Sequence, residues 1–360
     1  MVNILYGASG EGMGHAVRSK PTIKYLMKKH NVLVVSGDRA YNFFLKNLPK
    51  KNVEEILSLN MLYINNKVSN MGTFFLNIKK IPKARQTIKK LTKIFKKFKP
   101  DIVISDFEIF TSKFAKRYKV PLINIDNPSI SIRCKLNIAK KYRGISLLDK
   151  AVIAGISGGA DYYILTTFFY PEARNIKKRT YLVPPIIREE ILKLKPKKGK
   201  HILVYQTSDT YQALLPTLKK INEKFVIYGL HKNMKDGNLT LRDFNEDIFL
   251  DDLANCKAII TNGGFTLIGE AIYLKKPILS IPIKLQYEQI VNAIYVEKMK
   301  YGEFHEEISK EVVENFLKRL PKYEKVLSRY KQDGNKILFK TVDKIINKIL
   351  LKEAKRKLRS

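Results

Sequence analysis

The sequence predicts an α/β protein of two doubly wound, Rossmann-like domains followed by a C-terminal helix. Short β-branched runs alternate with longer amphipathic segments through the first half. The alternation breaks at a proline-rich and then basic stretch between residues 183 and 200, and a second series of the same kind follows. At 360 residues the chain exceeds one typical domain of about 100 to 200 residues.

In the first half, Asn3 to Ala8, Val32 to Ser36, Asp101 to Ser105, Pro121 to Ile125 and Tyr162 to Leu165 read as strands with helices between them. The unbroken apolar run from Ile102 suits a parallel strand buried on both faces. Paired prolines at Pro184 and Pro185 and the basic segment Lys193 to Lys200 place a linker at residues 189–199, between an N-terminal domain (1–188) and a second domain (200–330). There His201 to Gln206, Lys224 to Tyr228, Ala258 to Thr261 and Ile278 to Ile281 read as strands. The tail, 331–360, is one basic helical pattern carrying Leu338, Val342, Ile345, Ile346 and Ile349, an apolar side that must pack on something.

Composition excludes several classes. Cys134 and Cys256 stand far apart without metal-ligand spacing, so neither a disulfide framework nor a zinc site is expected. No run of about 18 apolar residues occurs, and the first residues enter a strand pattern without a basic signal region, so a cytoplasmic protein is expected. A formal charge of +35 implies attraction to polyanions, phosphorylated substrates or an anionic membrane surface, or reflects a compositional bias.

The turn Gly7 to His15 follows a strand and precedes a helix, so its glycines permit tight turning and close approach of a ligand. Gly10, Gly12 and Gly14 run G-x-G-x-G, which argues against a dinucleotide fingerprint despite Asp38 after the second strand. His15, at the helix start, is a candidate general base kept neutral by the helix N-terminus, or else a histidine bonded to its loop. Asp106, just past a buried strand, is placed to orient it, or else caps the next helix.

The most specific segment runs from Asp251 to Glu270 and on to Ala293. A buried strand leads into Asn262, Gly263 and Gly264 and then a helix, a geometry that presents free N–H groups to a diphosphate, with Glu270 two turns further in. Here the sequence resembles the GT-B glycosyltransferases. Within them it resembles family 28, the lipid-linked peptidoglycan N-acetylglucosaminyltransferase type, and the plant and antibiotic family 1 enzymes. Gly264, Glu270, Pro277, Pro282, Glu288, Gln289, Asn292 and Ala293 match that family's donor motif in order, as Pro185 to Arg188, Phe249 to Ala254 and Gly14-His15 match its other landmarks.

The resemblance implies two domains facing across a cleft. His15 would be the base, Asp106 its partner, and Gly12 and Gly14 part of the acceptor loop. Thr207, Ser208, Asn262, Gly263, Gly264, Phe265 and Thr266 would hold the diphosphate of a nucleotide-sugar, Glu270 the ribose, and Glu288, Gln289 and Asn292 the sugar side of the site. The backbone at Phe249 and Leu250 would meet the base. Asn262 stands where the family carries His or Arg, so Arg188 is the expected compensating cation. Neither metal nor cofactor is expected: Asp251 and Asp252 read as a helix cap, and the nucleotide-sugar, a UDP-sugar, is a substrate. The reaction implied is transfer of a hexosyl or N-acetylhexosaminyl group with inversion.

Residues 70 to 100 hold ten Lys or Arg and no Asp or Glu, which reads as a membrane-surface helix over 72–99 or a core helix with a solvated basic face. A lipid-linked acceptor and peripheral association with the inner membrane face suit the first reading. Nucleic acid is not expected, since no binding motif or stacking platform appears. A nucleotide-sugar 2-epimerase of the same architecture and a non-catalytic sugar-nucleotide-binding relative are the competing functions.

Overall fold

The computed structural model describes residues 1–10, 12–60, 62–64, 67–174, 179–206 and 211–358. The first sheet contains β1 (Asn3–Ala8), β2 (Asn31–Ser36) and β3 (Val53–Glu55); after a small hairpin of β4 (Tyr63–Ile64) and β5 (Lys67–Val68) it continues with β6 (Ile102–Asp106), β7 (Leu122–Asp126), β8 (Tyr162–Thr166) and β9 (Thr180–Val183). Its seven strands lie in the order β3-β2-β1-β6-β7-β8-β9, all parallel. Every residue of β6 and β7 is buried, as expected of strands covered on both faces.

The second sheet contains β10 (His201–Tyr205), β11 (Lys224–Tyr228), β12 (Met234–Asp236), β13 (Leu239–Arg242), β14 (Cys256–Thr261), β15 (Ile278–Ser280) and β16 (Gly302–Phe304). The order is β12-β13-β11-β10-β14-β15-β16, parallel except for β12, which pairs antiparallel at the edge. The order reverses between β1 and β6 in one sheet and between β10 and β14 in the other. Such switch points, at the carboxyl ends of the strands, are where doubly wound folds bind ligands.

The two domains are in contact. Phe168 stacks on Phe265 at 6.1 Å and Phe169 on Tyr295 at 3.8 Å between ring centroids. The hydroxyl of Thr266 donates to the Gly14 carbonyl at 3.1 Å, joining the first turns of the helices Met13–Met27 and Phe265–Tyr273.

The tail forms the helix Lys336–Lys357. Its apolar side answers the sequence expectation by packing on the first domain: Leu338, Val342, Ile345, Ile346 and Ile349 share a core with Ile4, Tyr6 and Ile23. Burying these side chains stabilises the fold by on the order of 10 kcal/mol. Phe339 stacks on Tyr25, and Asp343 accepts from Lys29 at 2.7 Å.

The basic segment corrects the sequence reading of one surface helix over 72–99. It is two helices, Asn70–Ile78 and Ile81–Phe98, broken at Lys79 and Lys80. The second buries Thr87, Leu91, Ile94 and Phe95 in the first domain, so its main apolar face is spent on the core and its lysines form a solvated face. Ile81 and Ile88 remain exposed. Among the described residues no helix is long and apolar enough to cross a membrane.

Candidate active site

At the first switch point, Gly12 turns the chain with φ 74 and the helix Met13–Met27 begins. His15, in its first turn, is 15% exposed and lines a cleft of 1110 Å³. Its Nδ1 lies 2.9 Å from Oδ1 of Asp106, which ends β6. The alternative role for Asp106, capping the following helix, falls to Glu108, whose carboxylate accepts from the N–H groups of Phe110 and Thr111 at 2.9 and 2.6 Å. Asp106 is thereby left to face His15.

A third residue completes the cluster. Arg18 forks onto Asp106, donating from Nε to Oδ2 at 2.8 Å and from Nη2 to Oδ1. The same Nη2 lies 2.8 Å from His15 Nδ1. Ser19 adds a hydroxyl bond to Oδ2 at 2.9 Å. Burial opposes both charges, and their attraction overcomes it: the Asp106 carboxyl is held well below the usual range and the Arg18 guanidinium above its own. The sequence signal for Arg18 was its i, i+3 spacing from His15, which puts both on one helix face.

In the second domain, β14 leads into Asn262, Gly263 and Gly264. Gly263 has φ 93, and a Cβ there would come within 2.7 Å of the Gln289 carbonyl, so glycine is required. Asn262 Nδ2 donates to the Ile281 carbonyl at 3.0 Å. Asn292 Nδ2 donates to the Gly263 carbonyl at 3.0 Å, and the Gln289 side chain accepts from the Ile283 N–H at 2.9 Å. These amides brace the loop from behind. Gly264 precedes the helix Phe265–Tyr273 without a side-chain cap, and a Cβ there would meet nothing within 4 Å. A helix start without a side-chain cap, with open space at Gly264, suits an anion.

Glu288, in the first turn of the helix Tyr287–Lys298, lines the cleft. Desolvation pushes its carboxyl up, against the pull of Arg18 and His15.

Other expected donor residues are placed differently. Arg188 and Glu270 are buried on each other: Nε and Nη2 reach Oε1 and Oε2 at 2.6 and 2.8 Å, and Nη1 reaches Glu246 at 2.9 Å. Arg188 is therefore a counter-ion for carboxylates in this structure, not an exposed phosphate cation. Phe249 and Leu250 are buried inside the helix Glu246–Asn255, and the Phe249 N–H is already bonded to the Asn245 carbonyl. Phe244 and Glu246 line the cleft there instead. Asp251 and Asp252 do not cap that helix: Asn245 does, while Asp252 accepts from Arg242 at 2.7 Å. Phe265 packs between the domains, and Thr266 joins them. Thr207 and Ser208 lie outside the described residues.

Comparison with known proteins places this geometry in a family. The family model described as glycosyl transferase family 1 matches residues 2–321, nearly the whole of both domains. The chain belongs to glycosyl transferase family 1. This family 1 chain is 25% identical to an uncharacterized glycosyltransferase of Methanosarcina acetivorans, over 96% of its length and 99% of the relative's. Its fold is that of solved GT-B structures. Phytolacca americana UGT2, solved with UDP-2-fluoro-glucose and pterostilbene, superposes with a TM-score of 0.67 at 11% identity, covering 96% of this chain and 99% of that one. The calicheamicin glycosyltransferase CalG4 gives 0.63 at 14% identity, covering 97% and 98%. The family 1 chain is thus a glycosyltransferase of the GT-B type.

Proposed function

We propose that this chain transfers a hexosyl or N-acetylhexosaminyl group from a UDP-sugar to the hydroxyl of a lipid-linked acceptor, with inversion and without a metal ion. The observation that carries this reading is the contact of two helix starts beside one cleft, one bearing His15, which faces Asp106 at the end of β6, the other beginning after Gly264. The N–H groups of Phe265 and Thr266 bind the diphosphate and stabilise the charge that develops on it as it leaves. Asn292 and Gln289 hold the loop in register rather than touching the sugar, and Glu288 receives the sugar hydroxyls. Glu270 keeps one lone pair on each oxygen after the Arg188 fork, which is its remaining capacity toward a ribose. As the acceptor oxygen bonds the anomeric carbon, its proton passes to His15 Nε2 and the carbon–diphosphate bond breaks.

The cleft rim supports an apolar acceptor. Thr73 and Asn77 of one helix, and Val152 and Ile156 of the helix Arg143–Ser157, line the same cleft. Beside them Phe75, Ile78, Leu147, Leu148 and Val152 are exposed, with Lys79, Lys80 and Lys83 close in sequence. Exposed apolar side chains with cations near in sequence suit the surface of an anionic membrane at its cytoplasmic face. The UDP-2-fluoro-glucose in the structural neighbour UGT2 supports the choice of nucleotide.

The test is incubation with labelled UDP-sugars and a membrane lipid extract. Label should enter lipid with release of UDP, and His15→Ala should abolish it. Labelling that survives His15→Ala would refute the base, and sugar conversion without acceptor would point to an epimerase.

A further inference from the structure

We propose that Phe107 determines acceptor specificity: its ring is a platform on which a ring-borne hydroxyl, as on the sugar of a glycolipid, is laid flat beside His15. The inference rests on the reading of the cleft as the site of a glycosyl acceptor. Phe107 follows Asp106 at the end of β6 and has φ 55, in the left-handed region that a bulky side chain rarely enters. Lys99, Lys119, Lys275 and Lys300 share that conformation, but each stands at or just past the end of a helix, where it is common. Phe107 instead leaves a buried strand.

The residues around it hold this turn. Ser105 Oγ accepts from the Glu108 N–H at 3.1 Å, and the Ser112 hydroxyl donates to the Glu108 carbonyl at 2.8 Å. The Glu108 carboxylate, which caps the next helix, also accepts from the Thr111 hydroxyl at 2.6 Å. Ser105, Glu108, Thr111 and Ser112 are all buried. A strained backbone persists where its surroundings over-determine it, and such strain gathers at sites that use the side chain it displays. Here the displayed side chain is a half-buried ring on the wall of the cleft, together with Met13, Ile109, Val152 and Ile156. Its plane lies 13° from that of the His15 imidazole, with centroids 6.0 Å apart, so the two rings are nearly parallel and displaced. A substrate ring stacked on Phe107 lies nearly parallel to the imidazole as well. An equatorial hydroxyl, close to the mean plane of its ring, then approaches parallel to the plane in which Nε2 accepts. A hydroxyl on an open chain gains nothing from such a face. Asn42 and Asn60 line the same cleft and suit the further hydroxyls of a sugar.

The chain contains no tryptophan, so Phe107→Trp keeps an aromatic face and adds a single fluorescent reporter. Octyl glucoside below its micelle concentration is the ring-bearing probe, and octane-1,2-diol carries the same tail length with open-chain hydroxyls. The glucoside is expected to change the emission saturably and to bind roughly tenfold more tightly than the diol. No response, or equal affinity for both probes, would overturn the proposal. By calorimetry on the full chain, Phe107→Gly should weaken glucoside binding by about the same tenfold factor with UDP binding unchanged, and Phe107→Tyr should match wild type. Phe107→Gly also relieves the left-handed backbone, so it should melt at or above the wild-type temperature; a fall of several degrees would assign the ring to packing and overturn the platform. None of these readouts needs turnover, so a chain that fails in label transfer sinks the transferase reading while the platform is judged by binding alone.

Discussion

The Arg188–Glu270 pair gives the most exposed consequence of the structure. Arg188 is 4% and Glu270 1% exposed, and among the described residues the fork between them is backed only by Glu246 nearer the rim. Among those residues, Glu270→Leu leaves a buried guanidinium with one carboxylate partner, and Arg188→Met leaves a buried carboxylate with none. Each change should cost about 3 to 5 kcal/mol, the usual penalty for stranding one ion of a buried pair. The double variant removes both charges and should recover most of that loss, giving a coupling energy of about 5 kcal/mol or more. Urea unfolding of the four proteins at neutral pH measures this, with the m-values compared because two domains need not unfold together. Single variants that each cost under about 1 kcal/mol and add in the double would refute the buried ion pair. The pair joins the domain junction to the donor helix, where Gly269 is also tight: a Cβ there would approach Pro185 to 2.7 Å.

Other outcomes follow from single positions. Gly263→Ala should weaken UDP binding and lower the melting temperature, whereas Gly264→Ala, opening onto free space, should change stability by about 1 kcal/mol or less; equal effects in calorimetry would contradict the loop geometry. Asp126 is buried, and desolvation lifts its carboxyl from an ordinary 3.8 to about 6. A raised folded-state value means that its contribution is full below the ordinary value and is lost as pH rises through about 6. That loss amounts to about 3 kcal/mol, so the stability difference between wild type and Asp126→Asn should shift across this window; a pH-independent difference would contradict it. Leu148→Glu with Val152→Glu should reduce sedimentation with anionic liposomes while leaving the melting temperature near wild type; unchanged sedimentation would remove the rim from membrane contact.

The fold was legible because its central strands announce themselves. Asn3 to Ala8, Lys224 to Tyr228 and the run ending at Ser105 are unbroken apolar segments that parallel packing requires, and the structure places them within a residue or so. What escaped were short strands, mostly at edges: Val53–Glu55, Thr180–Val183, Met234–Asp236, Leu239–Arg242 and Gly302–Phe304, at three or four residues each, carry too little periodicity to stand out. At the site, sequence spacing brought forward His15 and Asp106, which the fold joins across 91 positions. It did not foresee that Arg18 would share Asp106, that Arg188 would turn to Glu270, or that Gln289 and Asn292 would serve the loop backbone. Those are choices among partners made by tertiary packing. The basic segment left two readings open for a related reason: its amphipathic pattern is the same whether the apolar face meets lipid or Phe114 and its neighbours in the core.

The donor diphosphate is placed at the start of the helix Phe265–Tyr273 by this reading. A crystal structure of the chain with UDP tests it directly. The account predicts the β-phosphate at the start of the helix Phe265–Tyr273, within hydrogen-bond reach of the N–H groups of Phe265 and Thr266, with the nucleotide running toward Phe244. Diphosphate bound instead on the glycine turn at Gly10 to Gly14 of the first domain would contradict it.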